Sequence, residues 1–231
     1  MRRNGAQIIT TLLERQGVET LAGIPGGASL PLYDALYDSP IRHVLARHEQ
    51  GAGFVAQGIA RITGRAGVCI ATSGPGATNL LTAIADAKLD SIPLVCVTAQ
   101  VSSSLIGTDA FQEVDTYSLT LPISKHNFAV RDAGELLKIV PEAFGIAESG
   151  RPGPVVIDVP KDVLLQTVEF AEWPQRSIPK RPGACSESDI ATLAELIERA
   201  ERPVLYIGGG VVASGASAEL AALARRCSIP V

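Results

Sequence analysis

Glu49 stands at the head of "RHEQGAGFVAQGIARITG" (47–64), a carboxylate followed by a run of small and apolar residues. Gly51, Gly53 and Gly58 fall inside what is otherwise a helical pattern, and each costs a helix about 1 kcal/mol relative to alanine. With Ala52, Ala56 and Ala60 they allow close backbone approach, which would leave the carboxylate little water and suit it to move a proton. The plainer reading is an exposed glutamate favoured by the helix dipole. Composition alone leaves both open.

Other stretches carry chemistry only in context. "SGPGATN" (73–79) joins a strand-like run to a helix-like one, where backbone N–H groups can cradle an anion. It departs from the G-x-G-x-x-G pattern and serves equally as a tight turn. "GIPGGAS" (23–29) and "YIGGGVV" (206–212) are two more glycine turns after strands. Lys161 follows "VIDVP" at the end of a strand, where α/β folds place ligands, although a solvated lysine fits there too. Glu113 and Asp115 in "DAFQEVDTY" have no adjacent nucleophile or base and read as loop residues. His43, His48 and His126 lack metal-ligand spacing and read as structural.

The elements that must position these residues alternate along the chain. Strand-like runs at "VETLAG", "IRHVLAR", "AGVCIA", "SIPLVCVTAQ", "PISKHNFAV" and "GPVVIDVP" are separated by helical patterns. Continuous apolar strands in this order imply an α/β fold with a parallel sheet covered by helices on both faces. Residues 1–168 make one such domain. Residues 169–185, with Pro174, Pro179 and Pro182, read as a linker. From 186 to 231 a second α/β unit begins: a helix, "RPVLYIGGG" as a strand into a glycine turn, a helix, and "SIPV" opening another strand. About 45 residues cannot bury a competent core, so the expectation is a truncated second domain.

The 231 residues carry a net charge of −4, which argues against nucleic acid or an anionic membrane as partner. No apolar run approaches the roughly 18 residues that span a bilayer. Four cysteines without paired spacing favour the reducing cytoplasm over a disulfide framework.

Five segments taken together resemble one family. "GIPGGASLPLYDAL", "RHEQGAGFVAQGIAR", "TSGPGATNLLTAIADAKLDSIPLV", "IGTDAFQE" and "SGRPGPVVIDVPKDV" are similar, in order and spacing, to catalytic (large) subunits of acetolactate (acetohydroxyacid) synthase. "RHEQ" and "GPGATN" recur across thiamine-diphosphate enzymes, whereas "IGTDAFQE" followed by "GRPGPVVIDVPKD" is more particular to this family. The resemblance implies the N-terminal fragment of a three-domain enzyme: a pyrimidine-binding domain and the start of a central FAD-binding-type domain. It implies decarboxylation of pyruvate and its carboligation to a second 2-keto acid, pyruvate or 2-ketobutyrate, in branched-chain amino-acid biosynthesis.

By the same matching, Glu49 is the catalytic glutamate on the aminopyrimidine ring of thiamine diphosphate, with Pro75 and Asn79 contacting that ring. Gly27 and Ala28 fall beside the reacting carbon, and Phe111, Gln112 and Lys161 line the substrate channel. Arg151 and the turn of Gly208, Gly209 and Gly210 fall where the family holds FAD. Magnesium and the diphosphate belong to a C-terminal domain, so no metal ligand is expected in this chain, which alone should be inactive. The family also implies a homodimer with shared active sites and a regulatory small subunit. Ser102 departs from the proline many members carry, which bears on channel shape. Two alternatives stay open: another thiamine-diphosphate-dependent decarboxylase or carboligase, or a non-catalytic module that kept the fold.

Overall fold

Asn4 starts the first helix with a capping box. Its side chain accepts from the Gln7 amide at 2.8 Å while the Gln7 side chain accepts from the Asn4 amide at 3.1 Å. The computed structural model describes residues 1–179 and 183–231, so residues 180–182 of the expected linker lie outside the described residues. The chain forms two compact units that divide between residues 181 and 182.

In chain order the first unit comprises β1 (Arg2–Asn4), α1 (Gly5–Gln16), β2 (Thr20–Gly23), α2 (Leu30–Tyr37), β3 (Arg42–Leu45) and α3 (Glu49–Thr63). It continues through β4 (Gly67–Ala71), α4 (Pro75–Asn79), α5 (Leu81–Leu89), β5 (Leu94–Gln100), α6 (Thr116–Thr120) and β6 (His126–Ala129). It ends with α7 (Leu136–Glu148), β7 (Pro154–Pro160), α8 (Lys161–Leu165) and β8 (Thr167–Glu169).

Six strands form one sheet in the order β3-β2-β4-β5-β7-β6, and every neighbouring pair is parallel. Every residue of the central strands β4, β5 and β7 is buried, which is why their sequences are mostly apolar rather than alternating, with Thr98, Gln100 and Asp158 as the polar exceptions. Alternate residues feed two cores. Val95, Val97, Val155 and Ile157 join Ile8, Leu12, Leu32, Val140 and Phe144 under α1, α2 and α7. Cys69, Leu94, Cys96 and Val156 join Ala52, Ala56, Leu80 and Ile84 under α3, α4 and α5. The expected fold class is therefore the observed one.

Two features lie outside the sequence reading. β1 and β8 pair antiparallel as a separate ribbon, Arg2 opposite Glu169, although neither is long or alternating enough to signal a strand. Beyond it, Phe170 and Trp173 stack edge to face at 4.7 Å and pack on the first core.

The second unit holds α9 (Glu187–Arg199), capped by Ser186, then α10 (Gly209–Ala213) and α11 (Ser217–Cys227). The strand expected over "RPVLYIGGG" forms no ladder. One bond, Leu205 N–H to the Pro230 carbonyl at 2.9 Å, joins it to the last residues. A strand is defined by a partner, and a single rung is all that these two short segments supply.

Candidate active site

The sheet fixes which residues can meet. In parallel strands every C-terminal end points the same way, and the loops after β2, β3, β4, β5 and β7 carry residues 24–29, 46–49, 72–79, 101–115 and 161.

Glu49 is the first residue of α3, delivered there by β3. His48 caps the helix, its Nδ1 accepting from the Gln50 amide at 3.1 Å. The Glu49 carboxylate is half-buried, and its Oε2 accepts from Asn79 Nδ2 at 2.9 Å. Oε1 stands over Gly76: a methyl group on that glycine would lie 3.5 Å from it. The same methyl would come within 2.8 Å of the Thr72 methyl, so Gly76 has no room for a side chain.

The glycines of α3 divide into two sets. Gly53 faces α5, where an added Cβ would meet Ala83 Cβ at 2.5 Å, and Gln57 donates to the Ala83 carbonyl at 2.8 Å. Gly51 and Gly58 face open space. With partly exposed Phe54 and with Ile62, 88% exposed, they make an uncovered stripe at helical spacing.

"SGPGATN" is a sharp entry into α4 rather than a plain turn. Gly74 has φ +57°, and Pro75 occupies the first helical position, where its missing N–H costs nothing. An added Cβ on Gly74 would strike the Gln112 carbonyl at 2.6 Å, so the loop after β5 lies directly on this glycine. Gln112 itself has φ +59°, and Phe111 beside it is 88% exposed. In the loop after β2, the buried Ala28 N–H donates to Thr72 Oγ1 at 3.3 Å. Gly27 and Pro75 are exposed, and nothing lies within 4 Å of where a Gly27 Cβ would be.

Thr72 therefore ties Ala28 to the Gly76–Glu49–Asn79 group, and Gly74 brings Gln112 onto the same turn. Lys161, half-buried at the start of α8, joins through its neighbour. Asp162 Oδ1 accepts from the Ser103 amide at 2.9 Å and its hydroxyl at 3.1 Å, at the foot of the loop that bears Phe111 and Gln112.

Arg151 does not join this group. It precedes β7 whereas Lys161 follows it, and seven strand residues separate the two ends by about 23 Å. Its guanidinium donates to Ser91 Oγ at 2.7 Å and to the Leu89 carbonyl at 3.1 Å. It lines a cavity of about 470 Å³ with Lys88, Pro122, Ile123 and Lys125. Gly208, Gly209 and Gly210 lie in the second unit, where added side chains would meet nothing.

Three groups escaped the sequence reading. Asp158, inside β7, is 7% exposed, and burial pushes its carboxyl up to about 6 against the lowering by hydrogen bonds from Thr98 and Gln100. The charge of Asp115 adds to the rise. An acid within the apolar run "VVIDVP" is the signal that could have found it. Tyr33 has a buried hydroxyl with no partner among the described residues, and its ring meets His43 edge-on at 5.0 Å. Burial holds its phenol well above the usual range, with smaller contributions from Cys69 and Glu49. Thr72 is the third: nothing in its residue type announces the Ala28 contact.

The histidines serve structure: His43 contacts the Gly23 carbonyl at 3.3 Å, His48 caps α3, and His126 stacks on Phe128. Asp115 caps α6 through the Ser118 amide at 3.0 Å, in keeping with a loop role. Among the described residues no three His, Cys, Asp or Glu side chains form a metal-sized cluster, and no helix is long and apolar enough to cross a membrane.

Comparison with known proteins places this geometry. Residues 3–119 match the model of the thiamine pyrophosphate enzyme N-terminal TPP binding domain, and residues 190–231 match that of the central domain. The chain is 56% identical over 230 residues to the acetolactate synthase isozyme 1 large subunit of Escherichia coli, covering 99% of this chain and 41% of the relative. It is 52% identical over 233 residues to the acetolactate synthase large subunit of Corynebacterium glutamicum, covering 100% and 37%. The isozyme 2 large subunit of Escherichia coli is 51% identical over 208 residues, covering 90% and 38%. The chain thus spans about two fifths of the length of these curated relatives. The N-terminal match, which holds Glu49 and Asn79 and covers half of the sequence, makes this chain a member of the thiamine pyrophosphate enzyme family.

Proposed function

We propose that this chain is the N-terminal part of an acetolactate synthase large subunit. In this reading residues 1–168 bind the cofactor's pyrimidine, 169–185 link, and 186–231 begin a central domain. The observation that carries it is the 51–56% identity, over 90–100% of the chain, to acetolactate synthase large subunits, and within that match the Asn79–Glu49 hydrogen bond supplies an oriented carboxylate.

The residues present suit the cofactor: a ring nitrogen needs one fixed partner, which the Asn79-held Glu49 carboxylate offers, with exposed Pro75 on the adjoining turn. When bound, thiamine diphosphate supplies an electron sink for cleavage of the bond to a 2-keto acid's carboxylate. Glu49 holds a proton against a ring nitrogen, and Asn79 fixes the carboxylate that does so. Gly27 and Ala28 border the reacting centre. Phe111, Gln112 and Lys161 receive the 2-keto acids, the lysine offering a cation to a substrate carboxylate. By the family resemblance Arg151, and separately the Gly208–Gly210 turn, would contact FAD as a structural group. By the same resemblance, magnesium and the diphosphate would be held by other parts of the enzyme.

The uncovered stripe of Gly51, Phe54, Gly58 and Ile62 on the helix that begins with Glu49 supports a homodimer with shared active sites. The relatives' names as large subunits support a regulatory small subunit, and the unpaired cysteines support a cytoplasmic location.

The test uses a complete enzyme of the relatives' length carrying these residues, supplied with pyruvate, thiamine diphosphate and magnesium. Acetolactate should form, and Glu49→Gln should lower kcat by at least about 100-fold, as expected for loss of a general acid–base group. Acetaldehyde in place of acetolactate would overturn the reaction, and undiminished turnover by Glu49→Gln would overturn the role of the glutamate.

A further inference from the structure

The loop after β5, residues 101–114, begins and ends at one side chain. The Gln100 carboxamide accepts from the Val101 N–H through Oε1 at 2.9 Å. Its Nε2 donates to the Val114 carbonyl at 2.8 Å. One amide thus holds both feet of the loop, and its orientation decides whether it can, because a flipped amide would present a donor to a donor at Val101.

Asp158 opposes that flip. It lies on β7 in register with Thr98 of β5, on the sheet face of Cys96 and Val156. Its Oδ1 accepts from Thr98 Oγ1 at 2.6 Å and its Oδ2 from Gln100 Nε2 at 3.3 Å. Both side chains are at least nine-tenths buried, so neither has water to take over a lost partner. The loop they anchor puts the Gln112 carbonyl against Gly74, at the turn that leads to Gly76 and Asn79.

We propose that Gln100, oriented by Asp158, is the clamp that positions the 101–114 loop on the Gly74 turn, making the pair positioning residues for the 2-keto acid that Phe111 and Gln112 meet. The last clause rests on the function proposed above. Neither residue touches the reacting atoms; each acts through the loop. A conservative variant separates clamp from mere packing. Asparagine at 158 can accept from Gln100 and donate to Thr98, so Asp158→Asn keeps the clamp. Asp158→Ala removes it, and Gln100→Leu removes both loop contacts at nearly constant volume.

Hydrogen–deuterium exchange of the chain reads the loop without substrate. Val101 should exchange at least about tenfold faster in Gln100→Leu and Asp158→Ala, at wild-type rate in Asp158→Asn, with β4 and β5 amides unchanged. The double variant should be no faster than Gln100→Leu alone, since both act through one amide. In the complete enzyme the two loosening variants should raise the KM for pyruvate by roughly three- to tenfold with kcat little changed. An Asp158→Asn variant as loose as Asp158→Ala, additive single effects, or acceleration shared equally by β4 would each overturn the clamp. An enzyme without carboligase activity would sink the function proposed above and leave the exchange result to decide the clamp.

Discussion

Asn79 and Glu49, thirty positions apart, meet at 2.9 Å because two helices start at the same end of one sheet. Asn79 closes α4 and Glu49 opens α3, and β3 and β4 lie on either side of β2. The amide donates to the carboxylate and so fixes its direction.

Removing that donor should therefore cost rate rather than fold. A hydrogen bond to a charged group contributes about 1.5–3 kcal/mol, so Asn79→Ala should lower kcat roughly ten- to a hundredfold in the complete enzyme. Asn79→Asp should be worse, since it sets a second carboxylate beside the first. Steady-state kinetics, with circular dichroism as the check on folding, reads both, and wild-type kcat in Asn79→Ala would show that Glu49 needs no such support.

Two glycines of α3 should respond in opposite senses to the same change. Gly53→Ala forces a methyl to 2.5 Å from Ala83 Cβ and should destabilise the unit by about 1–3 kcal/mol, the range for overpacking. Gly58→Ala meets nothing within 4 Å and should stabilise it by about 0.5–1 kcal/mol through helix propensity. Urea denaturation of the two variants checks the pair, and equal shifts of one sign would contradict the packing described.

Asp158 gives stability a defined pH dependence. Its folded pKa, about 6, lies above the ordinary 3.8, so the folded state holds the proton more tightly. The contribution is fully present below about 3.8 and is lost as pH rises through about 6. Asp158→Asn, which does not titrate, should lack this decline, and the two stability curves should diverge by on the order of 2–3 kcal/mol between pH 4 and 7. Parallel curves by urea denaturation across that window would mean that the carboxyl is not held in this way.

Much of the arrangement is legible in residue order. The largely apolar, non-alternating runs of β4, β5 and β7 announce buried parallel strands, and Gly64 and Gly17 mark helix ends where φ turns positive. What reads poorly depends on a distant partner. Gly51, Gly53 and Gly58 look alike in sequence, yet one is pressed on Ala83 and two face open space, because only the position of α5 tells them apart. Likewise β1 has no strand signal of its own and forms because β8 returns beside it.

The sequence by itself determined the parallel α/β layering, the placement of Glu49 at a helix start, and the loop ends that carry Gly27, Pro75, Gln112 and Lys161. These follow from local pattern and from the rule that parallel strands present their loops on one side. Only the tertiary structure decided that Asn79 holds Glu49 and that Asp158 meets the Gln100 that ties both feet of one loop. The Asn79–Glu49 and Gln100–Asp158 contacts each span tens of residues and are fixed by strand order and register. Strand order is a property of the assembled sheet, and no window of neighbouring residues contains it.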